Sequence, residues 1–155
     1  MANENNENIH ENSIEDLVAR YKDDVELLTK YLGYFELHLN KDDTQQKYNS
    51  SDLAHSMSFP VYDSELMNFV RDCESTKMID RNYVYVYTRV GITNLKDELE
   101  FIDSAEIRDI TDLAGILSKY IIEGRTKGVV WSEGVKNGVY YKLISKMQEL
   151  IKKWS

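Results

Sequence analysis

The sequence has too little cysteine and histidine for several designs that are common among small proteins. Its one cysteine, Cys73, excludes a disulfide within the chain, so we expect a reducing compartment, the cytoplasm. The three histidines, His10, His38 and His55, show no metal-ligand spacing with one another or with Cys73. We therefore expect no metal and no cofactor, and a fold that depends on a hydrophobic core.

Membrane and leader segments are also missing from the sequence. No apolar run approaches the roughly 18 residues that a membrane span requires. The first residues, MANENNENIHENS, have neither the basic nor the apolar region of a secretory signal. These absences predict a soluble protein without membrane contacts.

The sequence lacks the patterns of the commonest catalytic sites. It contains no GxxxxGK[ST], GxGxxG or HExxH, and the segment Val130–Gly134, VWSEG, has valine where a nucleophile elbow needs its first glycine. Acidic pairs such as Asp42 and Asp43 are adjacent, so their carboxylates point apart and cannot converge as an acid and a base. We expect a non-enzymatic protein, and an enzyme acting through Glu123 and Arg125 is the weakest hypothesis.

Charge is distributed unevenly along the chain. Residues 119–155 contain eight Lys or Arg against three Glu, a net charge of +5, and residues 1–118 contain 11 basic against 24 acidic residues, a net charge of −13; together they give −8. The acidic part argues against direct nucleic-acid binding, which needs a basic face. The basic C-terminal segment could meet a phosphate or an acidic partner, although a solvated helix face is favoured.

Apolar residues recur at helical spacing through most of the chain and predict an all-α fold, a compact multi-helix bundle. Residues 1–12, rich in Asn and Glu, are expected to form a disordered acidic tail, and residues 13–155 a single helical domain. A first helix from Ser13 to about Glu36 precedes a long polar loop from His38 to Pro60. Further helices are predicted from Asp63 or Ser64 and over Thr93–Ile102, Ser104–Glu123 and Gly138–Trp154.

The segment Asn82–Val90, NYVYVYTRV, has strand propensity, with its tyrosines and valines alternating. No second strong strand is available to pair with it, and an unpaired strand would leave its backbone groups unsatisfied. We therefore predict a short helix that begins after Asp80.

The segment Tyr120–Tyr141 is the best candidate for a site. Five of the seven glycines lie in it or just before it, namely Gly115, Gly124, Gly128, Gly134 and Gly138. Clustered glycines between helices predict tight turns or close backbone approach. In the functional hypothesis, Arg125 grips a phosphate or carboxylate and Trp131 stacks on a ring, with Gly124, Gly128 and Tyr120 completing the ligand-binding set.

A structural alternative explains the same residues without a ligand, and it is favoured. Arg125 would tie the end of its helix to an acidic neighbour. Trp131 would fill the core between the two C-terminal helices.

The same segment resembles a known family. Tyr120, Arg125, Gly128, Trp131, and Gly134 or Gly138, followed by YYKLISKMQEL, resemble the pattern of a family of uncharacterised small helical proteins, a domain of unknown function found in bacteria and phages. The segment FPVYDSELMNFV, with Pro60, Val61 and Tyr62, is similar to that family's PVY-then-helix feature. The resemblance would run from about Leu27 to Leu150. It implies a small helical fold carried by mobile elements and no particular reaction.

Two functions are compatible with these features. The first is a binding protein of phage or mobile-element origin that inhibits a bacterial defence system, with a host protein or a protein–nucleic-acid complex as its partner. The second is a protein that binds a nucleotide or another small anion through Arg125 and Trp131. A homo-oligomer is compatible with either.

Overall fold

The bundle prediction is confirmed by the computed structural model, which describes residues 2–49 and 58–155 and, within them, the side chains of residues 13–45 and 62–155. In this part of the chain, eight α-helices and one 3-10 turn (Ile107–Asp109) follow in order: α1 (Ala2–Thr29), α2 (Leu32–Leu37), α3 (Ser64–Ser75), α4 (Tyr83–Val90), α5 (Leu95–Ser104), α6 (Ile110–Glu123), α7 (Val129–Lys136) and α8 (Val139–Trp154).

The N-terminal helix has other bounds than those the sequence predicted. It begins at Ala2, so the backbone of residues 2–12 is helical, because each residue added to an existing helix gains a hydrogen bond for little ordering. It ends at Thr29 rather than Glu36. The amide of Tyr31 donates to the carbonyl of Leu28 at 3.1 Å, a three-residue spacing that turns the chain before α2.

The polar segment between α2 and α3 contains a short antiparallel strand pair, which the sequence analysis did not anticipate. Strand β1 (Gln45–Asn49) pairs with strand β2 (Ser58–Tyr62), with Gln45 opposite Tyr62. The amide of Asp63 donates to the carbonyl of Thr44 at 2.9 Å and extends the pairing to the start of α3. The rest of the predicted loop, residues 50–57, lies outside the described residues.

Helices α6 and α8 carry the largest buried faces and form the centre of the bundle. An aromatic group joins them to α2 and α3, because Phe69 lies 4.8 Å from both Phe35 and Tyr140 between ring centroids. Such ring pairs stabilise a fold by about 0.5–1.5 kcal/mol beyond the area they bury. The N-terminal helix packs mainly against α8, and its buried residues are Ile14, Val18, Tyr21, Val25 and Leu28.

The tyrosine- and valine-rich segment forms helix α4, as predicted. Gly91, with a φ of 86°, ends it in the left-handed conformation. Its buried Val86 packs directly on Gly115 of α6, where an added Cβ would lie 2.9 Å from a Val86 methyl carbon. Glycine at position 115 therefore allows α4 and α6 to pack closely.

The glycine-rich segment contains helix α7, which the sequence analysis missed. Within it only Gly138, with a φ of 81°, requires the left-handed conformation, at the junction of α7 and α8. The predicted helix Ser104–Glu123 is divided, since its first residue ends α5 and a 3-10 turn precedes α6.

Candidate functional site

Trp131 lies at the junction of α6 and α7 with its ring in the core. It is 5% exposed, and its indole Nε1 donates to the carbonyl oxygen of Ile121 at 3.0 Å. The ring packs edge-on against the ring of Tyr62, with 5.1 Å between centroids. It also lies against the backbone of Gly124, where an added Cβ would come within 2.0 Å of the indole. This is the geometry of the structural alternative, in which Trp131 fills the space between helices.

Arg125 is held by an acidic neighbour from another helix. Its Nε donates to Oε2 of Glu74 at 3.1 Å, and its Nη2 donates to Oε1 of the same carboxylate. The guanidinium also lies 5.4 Å from the centroid of the Trp131 ring. A bidentate pair of this kind uses the donors with which Arg125 would grip a phosphate, so a ligand there would have to displace Glu74.

The predicted ligand-binding residues do not form one group. Gly124, Arg125 and Trp131 lie together, and Gly128 is half-buried at the start of α7 with helical backbone angles. Tyr120 joins a different cluster, because its hydroxyl donates to the carboxylate of Glu98 at 2.7 Å.

That second cluster, which we call the Glu98 cluster, surrounds a carboxylate that is 2% exposed. Tyr87 of α4 donates to Glu98 Oε2 at 2.5 Å, and Tyr120 of α6 donates to Oε1. The Nζ of Lys119 lies 3.7 Å from Oε2, and the side-chain amide of Asn137 donates to the Tyr120 hydroxyl at 3.3 Å. A buried charge is tolerated when it is paired and hydrogen-bonded in this way.

The sequence analysis missed Glu98, although the sequence carries a signal for it. In the predicted helix Thr93–Ile102, Glu98 falls at helical spacing from Leu95 and Ile102, among the residues of its apolar row. A carboxylate at such a position needs buried partners. The tyrosine-rich segment and Tyr120 provide them, but only the fold brings these distant residues together.

The tyrosines of the Glu98 cluster are hydrogen-bond donors, not acid–base groups for neutral pH. Burial, together with the charge of Glu98, raises the pKa of both Tyr87 and Tyr120 well above the ordinary value. Catalytic proton transfer near neutrality needs a pKa close to the working pH. The cluster therefore serves to join α4, α5 and α6. Tyr87 and Lys119 also line a cavity of about 490 Å³ beside α4.

Cys73 and His38 form no metal centre with other described side chains. Burial raises the pKa of the Cys73 thiol, which keeps it protonated. The ring of His38 contacts Asp43 at 2.7 Å, and this hydrogen bond lowers the pKa of Asp43. Among the described side chains no group of three or more His, Cys, Asp and Glu residues could hold a metal ion.

The outer side of α1 carries a row of acidic residues. Glu15, Asp16, Asp23 and Glu26 are exposed, and at 100° per residue they lie opposite the buried row of the same helix. None of the four forms an ion pair with another described side chain. We call this row the α1 acidic face. It is a group of four exposed carboxylates on one helix, and Lys22, four residues before Glu26, is exposed on the same side.

No family model, curated protein or solved structure matches this chain. Its resemblance to a family of bacteria and phages therefore stays a prediction. Within residues 2–49 and 58–155, no helix is long and apolar enough to cross a membrane.

Proposed function

We propose that the protein is a non-enzymatic binding protein that docks on a basic surface of a partner through its α1 acidic face. A fitting partner is the nucleic-acid channel of a bacterial defence nuclease. Inhibition of such a nuclease would benefit the phage or mobile element that encodes the protein. The observation that carries the proposal is the α1 acidic face. Its four carboxylates are exposed and unpaired among the described side chains.

Helix α1 is strongly acidic. Over residues 2–29 it contains eight acidic and two basic residues, a net charge of −6 out of −8 for the whole chain. The acidic face from Glu15 to Glu26 spans eleven residue steps, or about 16 Å at 1.5 Å per residue. A helix fixes the spacing of these charges before contact, so little backbone ordering opposes binding. Complementary charge of this kind also accelerates association.

The alternative, a small anion at Arg125 and Trp131, ranks second. Glu74 already occupies the guanidinium of Arg125, and the Trp131 ring is buried. A ligand at this place would have to compete with an intramolecular carboxylate. The acidic face of α1 needs no such displacement.

The experiment is a competition for DNA against a panel of purified bacterial defence nucleases. A fluorescent DNA duplex is bound to each nuclease, the protein is titrated in, and release of the duplex is followed by fluorescence anisotropy. We expect release from at least one nuclease, with an apparent affinity that falls steeply as salt rises, because exposed charges are screened.

A matched pair of variants assigns the effect to the acidic face. The test variant neutralises it with Glu15→Gln, Asp16→Asn, Asp23→Asn and Glu26→Gln. The control variant makes the same change in charge on other helices, at four exposed positions: Glu36→Gln, Glu65→Gln, Glu100→Gln and Glu149→Gln. Glu100 and Glu149 each lie 3.9 Å from a lysine of their own helix, and such exposed pairs contribute little to stability. At about 0.5 kcal/mol for each exposed charge pair, the test variant should lose about 2 kcal/mol, roughly 30-fold in affinity.

Two outcomes would refute the proposal. If no nuclease in the panel releases DNA, the docking partner named here is wrong. If the control variant loses as much affinity as the test variant, net charge alone is responsible and the acidic face is not a docking surface. Both variants should melt close to the parent protein, since exposed substitutions usually change stability by about 0.5 kcal/mol or less.

A further inference from the structure

A cleft on the flank of α1 is lined by cationic side chains. It lies between α1, the connection from α3 to α4, and the first turns of α6, and its volume is about 540 Å³. Arg20, Lys77 and Arg81 line it together with one acidic side chain, Asp80. Volumes of about 300–1,000 Å³ are typical of small-molecule sites.

The three cations of the cleft have no carboxylate partner among the described side chains, although the guanidinium of Arg20 lies 5.4 Å from the centroid of the Tyr21 ring. Arg20, Lys77 and Arg81 are exposed, and none forms an ion pair with another described side chain. Asp16 and Asp24 lie four residues from Arg20 on the same helix, yet neither pairs with it. Six of the other described Lys and Arg residues pair with carboxylates on other elements, and seven others form no ion pair either. What distinguishes Arg20, Lys77 and Arg81 is that they line the same cleft.

The nearest carboxylates are held by backbone amides. Asp80 Oδ1 accepts from the amide of Asn82 at 2.8 Å, and Asp24 Oδ2 accepts from the amide of Lys77 at 3.0 Å. Each carboxylate therefore accepts a hydrogen bond from the backbone. A hydrogen bond to a charged acceptor contributes more to stability than one between neutral groups. The cations of the cleft are left to attract an anion from solution, although the two carboxylates reduce the local positive charge.

The wall of the cleft is fixed in place by a buried hydroxyl. Ser118 of α6 is fully buried; its Oγ accepts from the amide of Asp80 at 2.8 Å, and its single proton faces the carbonyl oxygens of Ala114 at 2.7 Å and Met78 at 3.1 Å. The segment that carries Lys77 and Arg81 is thereby pinned to α6. On the opposite wall, the hydroxyls of Tyr21 and Thr111 lie 3.1 Å apart and offer a further donor.

We propose that this cleft binds a phosphorylated small molecule of nucleotide size through its phosphate groups, with Arg20, Lys77 and Arg81 as the phosphate-binding residues. Arginine forks match phosphate oxygens in pairs, and lysine adds a point charge. The proposal concerns a different surface from the α1 acidic face and does not depend on the docking proposed above.

The test uses inorganic pyrophosphate and ADP as probes, with sulfate as a simple anion. Titrations of the isotope-labelled protein are followed by backbone amide NMR shifts, and affinity is measured by calorimetry at low salt. We expect both phosphate probes to shift the amides of residues 77–82 and to bind more tightly than sulfate. If ADP and pyrophosphate bind equally, the phosphates alone are recognised, whereas tighter ADP binding assigns a contact to the nucleoside.

A charge-matched control completes the experiment. The triple variant Arg20→Gln, Lys77→Gln, Arg81→Gln should weaken pyrophosphate binding by roughly 30-fold or more, because it removes the charged donors. The control variant Arg71→Gln, Lys127→Gln, Lys153→Gln removes three other exposed cations that form no ion pair with described residues, and it should stay within about threefold of the parent.

Three results would overturn the proposal. They are the absence of shifts in residues 77–82 with either phosphate probe, equal losses in the two variants, and binding of an oligonucleotide without binding of ADP. The last result would indicate a surface for nucleic acid in place of a small-molecule cleft.

Discussion

The two buried tyrosines Tyr120 and Tyr140 allow one chemical change to be made in two opposite environments. The ring of Tyr120 is 5% exposed and that of Tyr140 is fully buried. The Tyr120 hydroxyl donates to the charged carboxylate of Glu98 at 2.7 Å. The Tyr140 hydroxyl is buried and has no hydrogen-bond partner among the described residues. Replacing either residue by phenylalanine removes only the hydroxyl.

The expected effects on stability have opposite signs. A hydrogen bond to a charged group contributes about 1.5–3 kcal/mol, so Tyr120→Phe should lower the free energy of unfolding by about 2 kcal/mol. A buried hydroxyl without a partner costs about 1–3 kcal/mol, so Tyr140→Phe should raise that free energy by about 1 kcal/mol. The aromatic ring at position 140 remains packed against Gly134 in both variants, since a Cβ at Gly134 would already lie 2.2 Å from the Tyr140 ring.

Urea unfolding followed by far-ultraviolet circular dichroism measures both variants on one scale. The two midpoints should move in opposite directions at an unchanged slope, with a difference of about 3 kcal/mol between the variants. For a chain of this size the same difference corresponds to about 6–12 °C in melting temperature. Destabilisation by Tyr140→Phe of more than about 1 kcal/mol would refute the assignment of its hydroxyl, and a neutral Tyr120→Phe would refute that of the Glu98 cluster.

Three further outcomes are expected. Trp131→Ala should cost about 3–5 kcal/mol in urea unfolding, because it empties a core position, and a cost below about 1 kcal/mol would contradict this. Cys73 should react with a thiol reagent only in denaturant, since its raised pKa and burial protect it; fast labelling of the native protein would contradict that. Tyr120 and Tyr140 have raised pKa values in the folded protein, so above about pH 10 only the unfolded state loses their protons. The free energy of unfolding should therefore fall by about 1.4 kcal/mol per tyrosine between about pH 10 and pH 11. The tyrosinate absorbance that the Tyr120→Phe and Tyr140→Phe variants lack belongs to these two residues. It should appear together with unfolding, and its appearance in the folded protein would contradict the burial.

Most helices could be predicted because their buried residues recur every three or four positions. The same reasoning gave α4 correctly, since a strand there had no strong partner, and hydrogen-bond satisfaction outweighed local propensity. The strand pair could not be found, because Gln45–Asn49, QQKYN, is polar and has no alternating pattern. Helix α7 was missed because its glycines suggested turns.

Those glycines serve a different purpose from the one that the sequence suggested. Gly124 and Gly134 lie against the rings of Trp131 and Tyr140, and only Gly138 needs a positive φ. A sequence shows that a glycine is present but not which ring approaches it, because the contact depends on how the helices pack. The two explanations of Arg125 were likewise distinguishable only in the fold, since its partner Glu74 lies 51 residues away.

The charges of α1 show why the proposed binding surfaces could not be read from composition. Two basic residues, Arg20 and Lys22, lie among the acidic residues of the helix, so the sequence suggests only a mixed, solvated element. Packing decides which side of the helix faces outward. Because Tyr21 and Val25 turn inward, Asp16 and Asp23 face solvent, whereas Arg20 stands on the flank beside Lys77 and the first turns of α6. Residues three or four apart share one side of a helix, so Asp16 and Asp23 lie next to Arg20, yet neither forms an ion pair with it. The acidic docking surface and the cationic cleft are therefore neighbouring parts of one helix, and only the packing of α1 shows where one ends and the other begins.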